Sequence, residues 1–317
     1  MRKAFAKAFD PSRILVVLTA EPLPLPAYGG QAVIEGVMMR GASTCAVAMR
    51  APSNAIVVHT EPLGAIYKSR LKKIPFLRGL IMLWDGLGLG MRALTLSANT
   101  QTGEDKKLGG FALYATITLS LGFAIGLFFV TPALLASMLD AVFGWGPWWD
   151  NVCEGVIRLS ILVAYLWAVG RIANIRRVFA YHGAEHQTIN AFEAGAELIP
   201  DRVATFPLEH TRCGTAFLLT LVLLSILIFS LLGPMPWHER LISRVLLMPL
   251  LAGIAYEYTR WTAAHLNSPV VRAMIRPNLA LQKLTTRMPS LDMLEVAIAA
   301  FLAMRAEERS TTDAIVA

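Results

Sequence analysis

The sequence carries little charge for its length. Only 16% of its 317 residues are Asp, Glu, Lys or Arg, whereas soluble domains average about 25%. A mean hydropathy of +0.53 and 55% hydrophobic residues exclude a disordered chain and are unlike an ordinary soluble enzyme. With only three cysteines, a disulfide-rich secreted scaffold is excluded as well. The low charge and high hydrophobicity indicate a membrane protein, and its length leaves room for a folded part outside the lipid.

Long uncharged runs supply the candidate transmembrane helices. Residues 108–139 contain no Asp, Glu, Lys or Arg, and Thr131-Pro132 is expected to end or kink this first span near residue 131. Three further spans are predicted at 152–171, 213–237 and 242–258. Arg158 lies close enough to one end of its span to snorkel. The predicted fold is therefore an α-helical polytopic membrane protein with about four transmembrane helices.

The distribution of basic residues predicts the orientation. Residues 1–107 hold 14 of the 29 Lys and Arg, residues 171–212 hold 5 and residues 259–317 hold 7, whereas residues 140–151 hold none. Because basic residues accumulate on the cytoplasmic side, both termini and the 171–212 segment are expected to face the cytoplasm. Topology accounts for the net charge of +7, so the lipid bilayer is the expected partner and nucleic acid is not.

Four regions are expected along the chain. Residues 1–27 form a proline-ended leader whose apolar run is too short for a signal peptide. Residues 28–107 form a small β-rich cytoplasmic module, with an amphipathic helix over 75–96. Residues 108–261 form the membrane domain, with a cytoplasmic metal-site loop at 172–212. Residues 262–317 form a cytoplasmic helical segment, in which Leu294, Ile298 and Leu302 share a helix face.

The β-rich module and its helix are predicted from local patterns. Apolar or β-branched runs at 31–39, 44–49 and 55–60 indicate strands, because turn residues separate them. In the helix, Arg78, Asp85 and Arg92 are seven residues apart and share one face. The charged face favours a helix that packs on the membrane surface or against the protein. A fifth span or re-entrant segment is the alternative.

One constellation carries chemistry. In the sequence Tyr181-His182-Gly183-Ala184-Glu185-His186, two histidines four apart project from one helix face, within reach of one metal ion. His-x-x-Glu-His is the order of the inverted zincins, in which both histidines bind zinc and the glutamate is the general base. His210 or Cys213 would supply a third ligand; an inert, buried Cys213 is the alternative.

Two further acids are candidates for supporting roles. Glu257 lies near the predicted cytoplasmic end of the fourth span, where it could serve an ion pathway or simply pair with Arg260. Glu35 lies between apolar residues and glycine, and could be an outer ligand, a hydrogen-bond partner or a solvated side chain.

Several motifs closely resemble those of the YqhQ-like family, bacterial membrane proteins commonly labelled predicted metal-dependent enzymes. The motifs cover residues 29–41, 60–64, 181–186, 212–215, 281–287 and 295–298. The resemblance implies that His182, Glu185, His186, His210 and Cys213 belong to the family pattern. This sequence departs from the family pattern at two positions: Gln187 stands where Lys is usual, and Thr211 stands where Pro is usual. It places the protein in the bacterial inner membrane.

These observations support three hypotheses. The first is a zinc-dependent hydrolase of a membrane peptide or lipid-linked ester, with Glu185 taking the proton from water. The second is a scaffold stapled by a closed four-ligand site that includes both His210 and Cys213. The third is a transporter, which the absence of charge in two predicted spans disfavours. Three ligands beside an open cleft would favour the enzyme, and no sequence feature specifies an oligomer.

Overall fold

A four-stranded antiparallel sheet stands at the N-terminal end of a mostly helical chain. The structure is a computed structural model that describes residues 28–64, 74–102, 110–232 and 235–316. The predicted leader, 1–27, lies outside the described residues. The strands are β1 (Gly29–Val33), β2 (Gly36–Arg40), β3 (Thr44–Arg50) and β4 (Ile56–Pro62), paired in the order β1-β2-β3-β4.

The sheet differs from the prediction at its first hairpin. Residues 31–39 were expected to form one strand, but the chain reverses at Ile34-Glu35 and pairs Val33 with Gly36. Glu35 has a φ of 53°, in the left-handed region that tight two-residue hairpins require. An apolar run does not reveal such a turn, because neither Ile nor Glu is a usual turn residue.

Both faces of the sheet are covered by helices. The described helices are α1 (Leu77–Thr102), α2 (Gly110–Ile125), α3 (Thr131–Phe143), α4 (Pro147–Val169), α5 (Ala173–Glu193), α6 (Pro200–Val203), α7 (Gly214–Ser230), α8 (Trp237–Ala264), α9 (Pro269–Thr285) and α10 (Leu291–Val316). Val37 and Ala46 pack towards α5 and α10, whereas Met38 and Val47 pack on Leu89 of α1. Double coverage explains why β2 and β3 are apolar at nearly every position.

Within the described residues, four helices are long and apolar enough to cross a membrane: Leu77–Thr102, Tyr114–Phe143, Pro147–Val169 and His238–Ala264. Four spans were predicted as well, but at a partly different set of positions. The predicted span 213–237 contains α7, whose 17 residues reach only about 25 Å against a hydrocarbon core of about 30 Å. The helix expected on the surface, α1, takes its place in the set. It packs Gly79 against Tyr256 of α8 and Leu89 against the sheet.

The first predicted span does not end at Thr131-Pro132. A π-helical turn, Gly126–Val130, joins α2 to α3. In this turn the Thr131 N–H and hydroxyl both donate to the Gly126 carbonyl. The wider turn accommodates a proline near the start of α3, where a missing N–H costs little. The apolar helix therefore continues to Phe143.

A buried charged cluster joins α4 to α8. Glu154 accepts hydrogen bonds from Arg158, Arg240 and Arg244, and Asp150 pairs with Arg240. Arg158 also donates to the Phe128 carbonyl in the π-helical turn at 2.8 Å. Arg158 is therefore buried and fully engaged, and the prediction that it snorkels was wrong.

The C-terminal helix packs on the sheet through a different face from the predicted one. Leu294 and Ile298 are buried as expected, but Leu302 is 50% exposed. Phe301 and Met304 are buried instead and contact the cluster beneath the sheet. Apolar residues three and four apart along α10 define its buried face, and after Ile298 both Phe301 and Leu302 have this spacing. The sequence alone therefore does not decide which of the two is buried.

Candidate metal centre

The two histidines of the 181–186 motif lie on α5, with their ring centroids 4.3 Å apart. The segment 172–212 is thus largely helical where it carries these residues. Gly183, between them, lies against the chain that follows α9, because a Cβ there would come 2.2 Å from the Arg287 carbonyl oxygen. The Arg287 N–H donates to the Phe179 carbonyl at 2.9 Å. The close approach brings the end of α9 within reach of His182.

Backbone carbonyls fix the orientation of both imidazole rings. His182 Nδ1 lies 2.9 Å from the Thr285 carbonyl oxygen, and His186 Nδ1 lies 2.5 Å from the Leu208 carbonyl oxygen. A carbonyl only accepts, so each Nδ1 carries a proton, and Nε2 is the nitrogen of each ring that is left to bind a metal. This is the arrangement by which proteins orient histidines that bind a metal.

Cys213 brings a sulfur atom to the same place. It is the N-cap of α7, and its Sγ lies 3.3 Å from His182 Nε2 and 2.8 Å from the Thr215 hydroxyl. Ligand atoms of His182, His186 and Cys213 all lie within 4.8 Å of one another. In a tetrahedral zinc site, a nitrogen and a sulfur ligand are about 3.6 Å apart. The spacing of the three side chains therefore suits one metal ion.

His210 lies beside this group but outside it. Its ring centroid is 5.6 Å from that of His186, and its Nε2 is 3.7 Å from a Glu193 carboxylate oxygen. The side-chain amide of Gln282 holds its backbone, accepting from the His210 N–H at 2.9 Å and donating to the carbonyl at 2.8 Å. His210 is thus held beside the centre by a residue of α9.

Glu185 points between the centre and the first strand. It is 5% exposed, and the Gly30 N–H is hydrogen-bonded to its carboxylate. A Cβ at Gly30 would lie 3.0 Å from Glu185 Cδ, so only glycine lets the strand approach this closely. Glu185, His182 and His210 line a cavity of about 190 Å³, which is large enough for water.

Burial and mutual charge shift the pKa values of the cluster. Burial alone would lower the pKa of His182, but the sulfur of Cys213 raises it to about 9. Burial alone would raise the pKa of the Cys213 thiol, but the imidazoles of His186 and His182 bring it well below its usual range. Burial lowers the pKa of His210 to about 4 and raises that of Glu185. A thiolate and a neutral His210 are forms that can bind a metal, whereas His182 must release its Nε2 proton before it can do so.

Three buried polar atoms at this place have no hydrogen-bond partner within the described residues: Glu185 Oε2, His186 Nε2 and His210 Nε2. An unpaired buried polar group costs about 1–3 kcal/mol, so three together call for a ligand. A divalent ion satisfies lone pairs of nitrogen, sulfur and oxygen at once. The residues present therefore fit zinc.

The two supporting candidates lie elsewhere. Glu35 sits at the β1–β2 turn, where Arg177 Nε donates to its carboxylate at 2.6 Å. Glu257 pairs with Arg78 of α1, whose Nε lies 2.6 Å from the carboxylate, and not with Arg260. The sequence did not reveal the roles of Gln282, Thr285 or Leu208, because two of them act through backbone carbonyls.

These features define a mostly helical protein with helices that could span a membrane and a buried His–Cys cluster. The chain belongs to the family described as "Protein of unknown function (DUF1385)", which matches residues 74–307. It is 32% identical over 291 residues to the "Uncharacterized protein YqhQ" of Bacillus subtilis (strain 168), covering 87% of this chain and 91% of that protein. The resemblance to YqhQ-like proteins is thereby confirmed. No solved structure matches the chain.

Proposed function

We propose that this protein is a zinc-dependent hydrolase at the cytoplasmic face of the bacterial inner membrane. His182, His186 and Cys213 would hold the ion. The observation that carries the proposal is the pair of Nδ1 contacts to the Thr285 and Leu208 carbonyls, since they leave Nε2 of each ring as the nitrogen that can bind a metal. The distribution of Lys and Arg supports the cytoplasmic side.

When bound, the ion would supply Lewis acidity to the substrate and to water. This chain's own contribution is a positioned carboxylate: Glu185 lines the 190 Å³ cavity, its Oε2 has no hydrogen-bond partner among the described residues, and the carboxylate could accept a proton from water there. Burial raises the pKa of Glu185, which suits a base that must later release the proton. His210, kept neutral by burial, can donate to or accept from the same water.

Metal content tests the proposal. We expect about one zinc per chain in untagged protein purified without chelators, and loss of that zinc in His182→Ala, His186→Ala and Cys213→Ser. His59→Ala is the matched control, because His59 is exposed on β4. Elemental mass spectrometry gives the readout. A folded wild type that stays metal-free after zinc repletion would refute the proposal.

A closed, non-catalytic metal site is the second candidate, and the unpartnered Nε2 of His210 favours it. Four protein ligands would leave no position for water. His210→Ala distinguishes the two: the hydrolase keeps its zinc, whereas the closed site loses affinity. Glu185→Gln should keep the metal in both cases and abolish hydrolysis in the first. Transport gains no support from Glu257, since Arg78 neutralises it.

A further inference from the structure

The proposed metal centre opens onto a second, larger cavity. This cavity has a volume of about 650 Å³ and lies between the C-terminal end of α8, the first half of α1 and the start of α7. The two cavities have five lining residues in common: Gly29, Arg40, Arg212, Cys213 and Gly214. Cys213 thus faces both spaces, and a ligand in the larger cavity would lie next to the metal centre.

The larger cavity is apolar on its walls and cationic on one side. Met82, Leu83, Phe217 and Ala263 are among its lining residues. Its charged lining residues are Arg40, Arg212 and Arg260. No carboxylate occurs among the described residues that line it. A chamber of this kind complements a molecule with an anionic head and a hydrocarbon tail.

The cationic side retains capacity to bind an anion. Arg212 pairs with Glu193 through its terminal nitrogen, but its Nε is buried with no hydrogen-bond partner in the described chain. Arg260 is exposed in the last turns of α8. Gly214 opens α7, a 17-residue helix whose N-terminal N–H groups favour negative charge. Arginine is the side chain best suited to a phosphate group, which it can bind through two parallel hydrogen bonds.

An apolar groove leads from the larger cavity towards the outer surface of α1. Leu80, Ile81, Leu83, Trp84 and Leu87 line it, and Leu83 lines the cavity as well. Trp84 is 78% exposed and Leu87 is 64% exposed. Because α1 is one of the four helices that could cross a membrane, this groove provides a path for an acyl chain.

We propose that the larger cavity binds an anionic phospholipid, with its phosphate at Arg40, Arg212 and Arg260 and an acyl chain along α1. Resting on the proposed function, this inference makes an anionic lipid the substrate class of the metal centre. A membrane peptide fits less well, since the apolar walls offer few partners for its backbone N–H and C=O groups.

Lipid retention tests the inference. Detergent-solubilised protein is mixed with dioleoyl phosphatidic acid and dioleoyl phosphatidylcholine in equal amounts, and retained lipid is quantified by mass spectrometry. We expect about tenfold preference for phosphatidic acid, because charge-assisted hydrogen bonds recognise its head. Arg260→Gln and Arg212→Gln should lower the ratio towards one. Arg276→Gln is the control, since Arg276 is exposed on α9 and lines neither cavity.

Two further arms separate head from tail. Ala263→Phe fills the apolar part of the cavity and should reduce retention of both lipids about equally. Inorganic phosphate at the same concentration should not displace phosphatidic acid; displacement would show a site for the free anion and overturn the inference. Equal retention of the two lipids, or unchanged preference in both arginine variants, would overturn it too.

Metal content measured on the same samples keeps the two proposals apart. Selective lipid retention by a protein that binds no metal would leave the lipid site standing and refute the hydrolase. One zinc per chain without lipid selectivity would do the reverse. Arg260→Gln guards against misfolding as a trivial cause, because the side chain is exposed.

Discussion

Glu154→Gln should destabilise the protein more than any other neutralisation of a single carboxylate that we consider. Glu154 is 1% exposed, and its two oxygens accept from Arg158, Arg240 and Arg244. Glutamine keeps the shape of the side chain but removes its charge. Asp150 would remain as the carboxylate in contact with this cluster. Removing one partner of a buried ion pair typically costs 3–5 kcal/mol, because the remaining charges are left uncompensated.

The cost can be read from thermal unfolding in detergent, followed by tryptophan fluorescence. For large domains each kcal/mol lowers Tm by roughly 2–4 °C, so we expect a fall of about 10 °C. Glu61→Gln is the control: Glu61 pairs with Arg92, and their side chains are 46% and 62% exposed, so the loss is about 0–1 kcal/mol. Equal Tm values for the two variants would refute the reasoning.

Two further predictions concern the metal centre. In metal-free protein the lowered pKa of Cys213 keeps it a thiolate, so its rate of alkylation by iodoacetamide should be nearly constant from pH 8 to about 6, whereas the rate of an ordinary thiol falls about tenfold per pH unit. Cys45 is the control and should stay unmodified, because burial and Glu61 raise its pKa to about 12. A tenfold fall of the Cys213 rate per pH unit would contradict this prediction. Gly183→Ala should lower zinc occupancy and reduce the free energy of unfolding by about 1–3 kcal/mol, because the added methyl group would lie 2.2 Å from the Arg287 carbonyl oxygen. Gly88→Ala is the control: nothing lies within 4 Å of its added methyl group, so zinc content and thermal unfolding should not change. Equal effects of the two substitutions would contradict this prediction.

The placement of His182 and His186 on one helix face could be predicted, because spacing on a helix is a local property. His182 and His186 lie four apart, so any helical conformation brings them to one face. Their supports could not be predicted in the same way. Every residue type has a backbone carbonyl, so nothing in the sequence distinguishes those of Thr285 and Leu208. Only tertiary packing brings them to the histidines of α5.

The helices that could span a membrane show a different limit of sequence-based prediction. Hydropathy finds uncharged runs but does not locate helix ends: α7 begins after its N-cap Cys213, at the predicted start of the span, but ends at Ser230, before the uncharged run does. Conversely, the charged residues of α1 indicated a helix that does not span the membrane, because the sequence alone does not show their partners. Arg78 pairs with Glu257 and Arg92 with Glu61, so tertiary partners reduce the cost that a sequence window assigns to them.

The two buried polar clusters differ in how completely their atoms are paired, and the difference separates structure from chemistry. Around Glu154, three guanidinium groups donate and both carboxylate oxygens accept, which holds α4 against α8, and of this cluster only Asp150 Oδ1 lacks a hydrogen-bond partner among the described residues. Around Glu185, the polar atoms are equally buried, but Glu185 Oε2, His186 Nε2 and His210 Nε2 lack partners in the residues described. The anchored Nδ1 atoms prevent the two α5 rings from turning to satisfy them. Zinc binding at the second cluster would satisfy these lone pairs and would also stabilise the docking of α7 and α9 on α5.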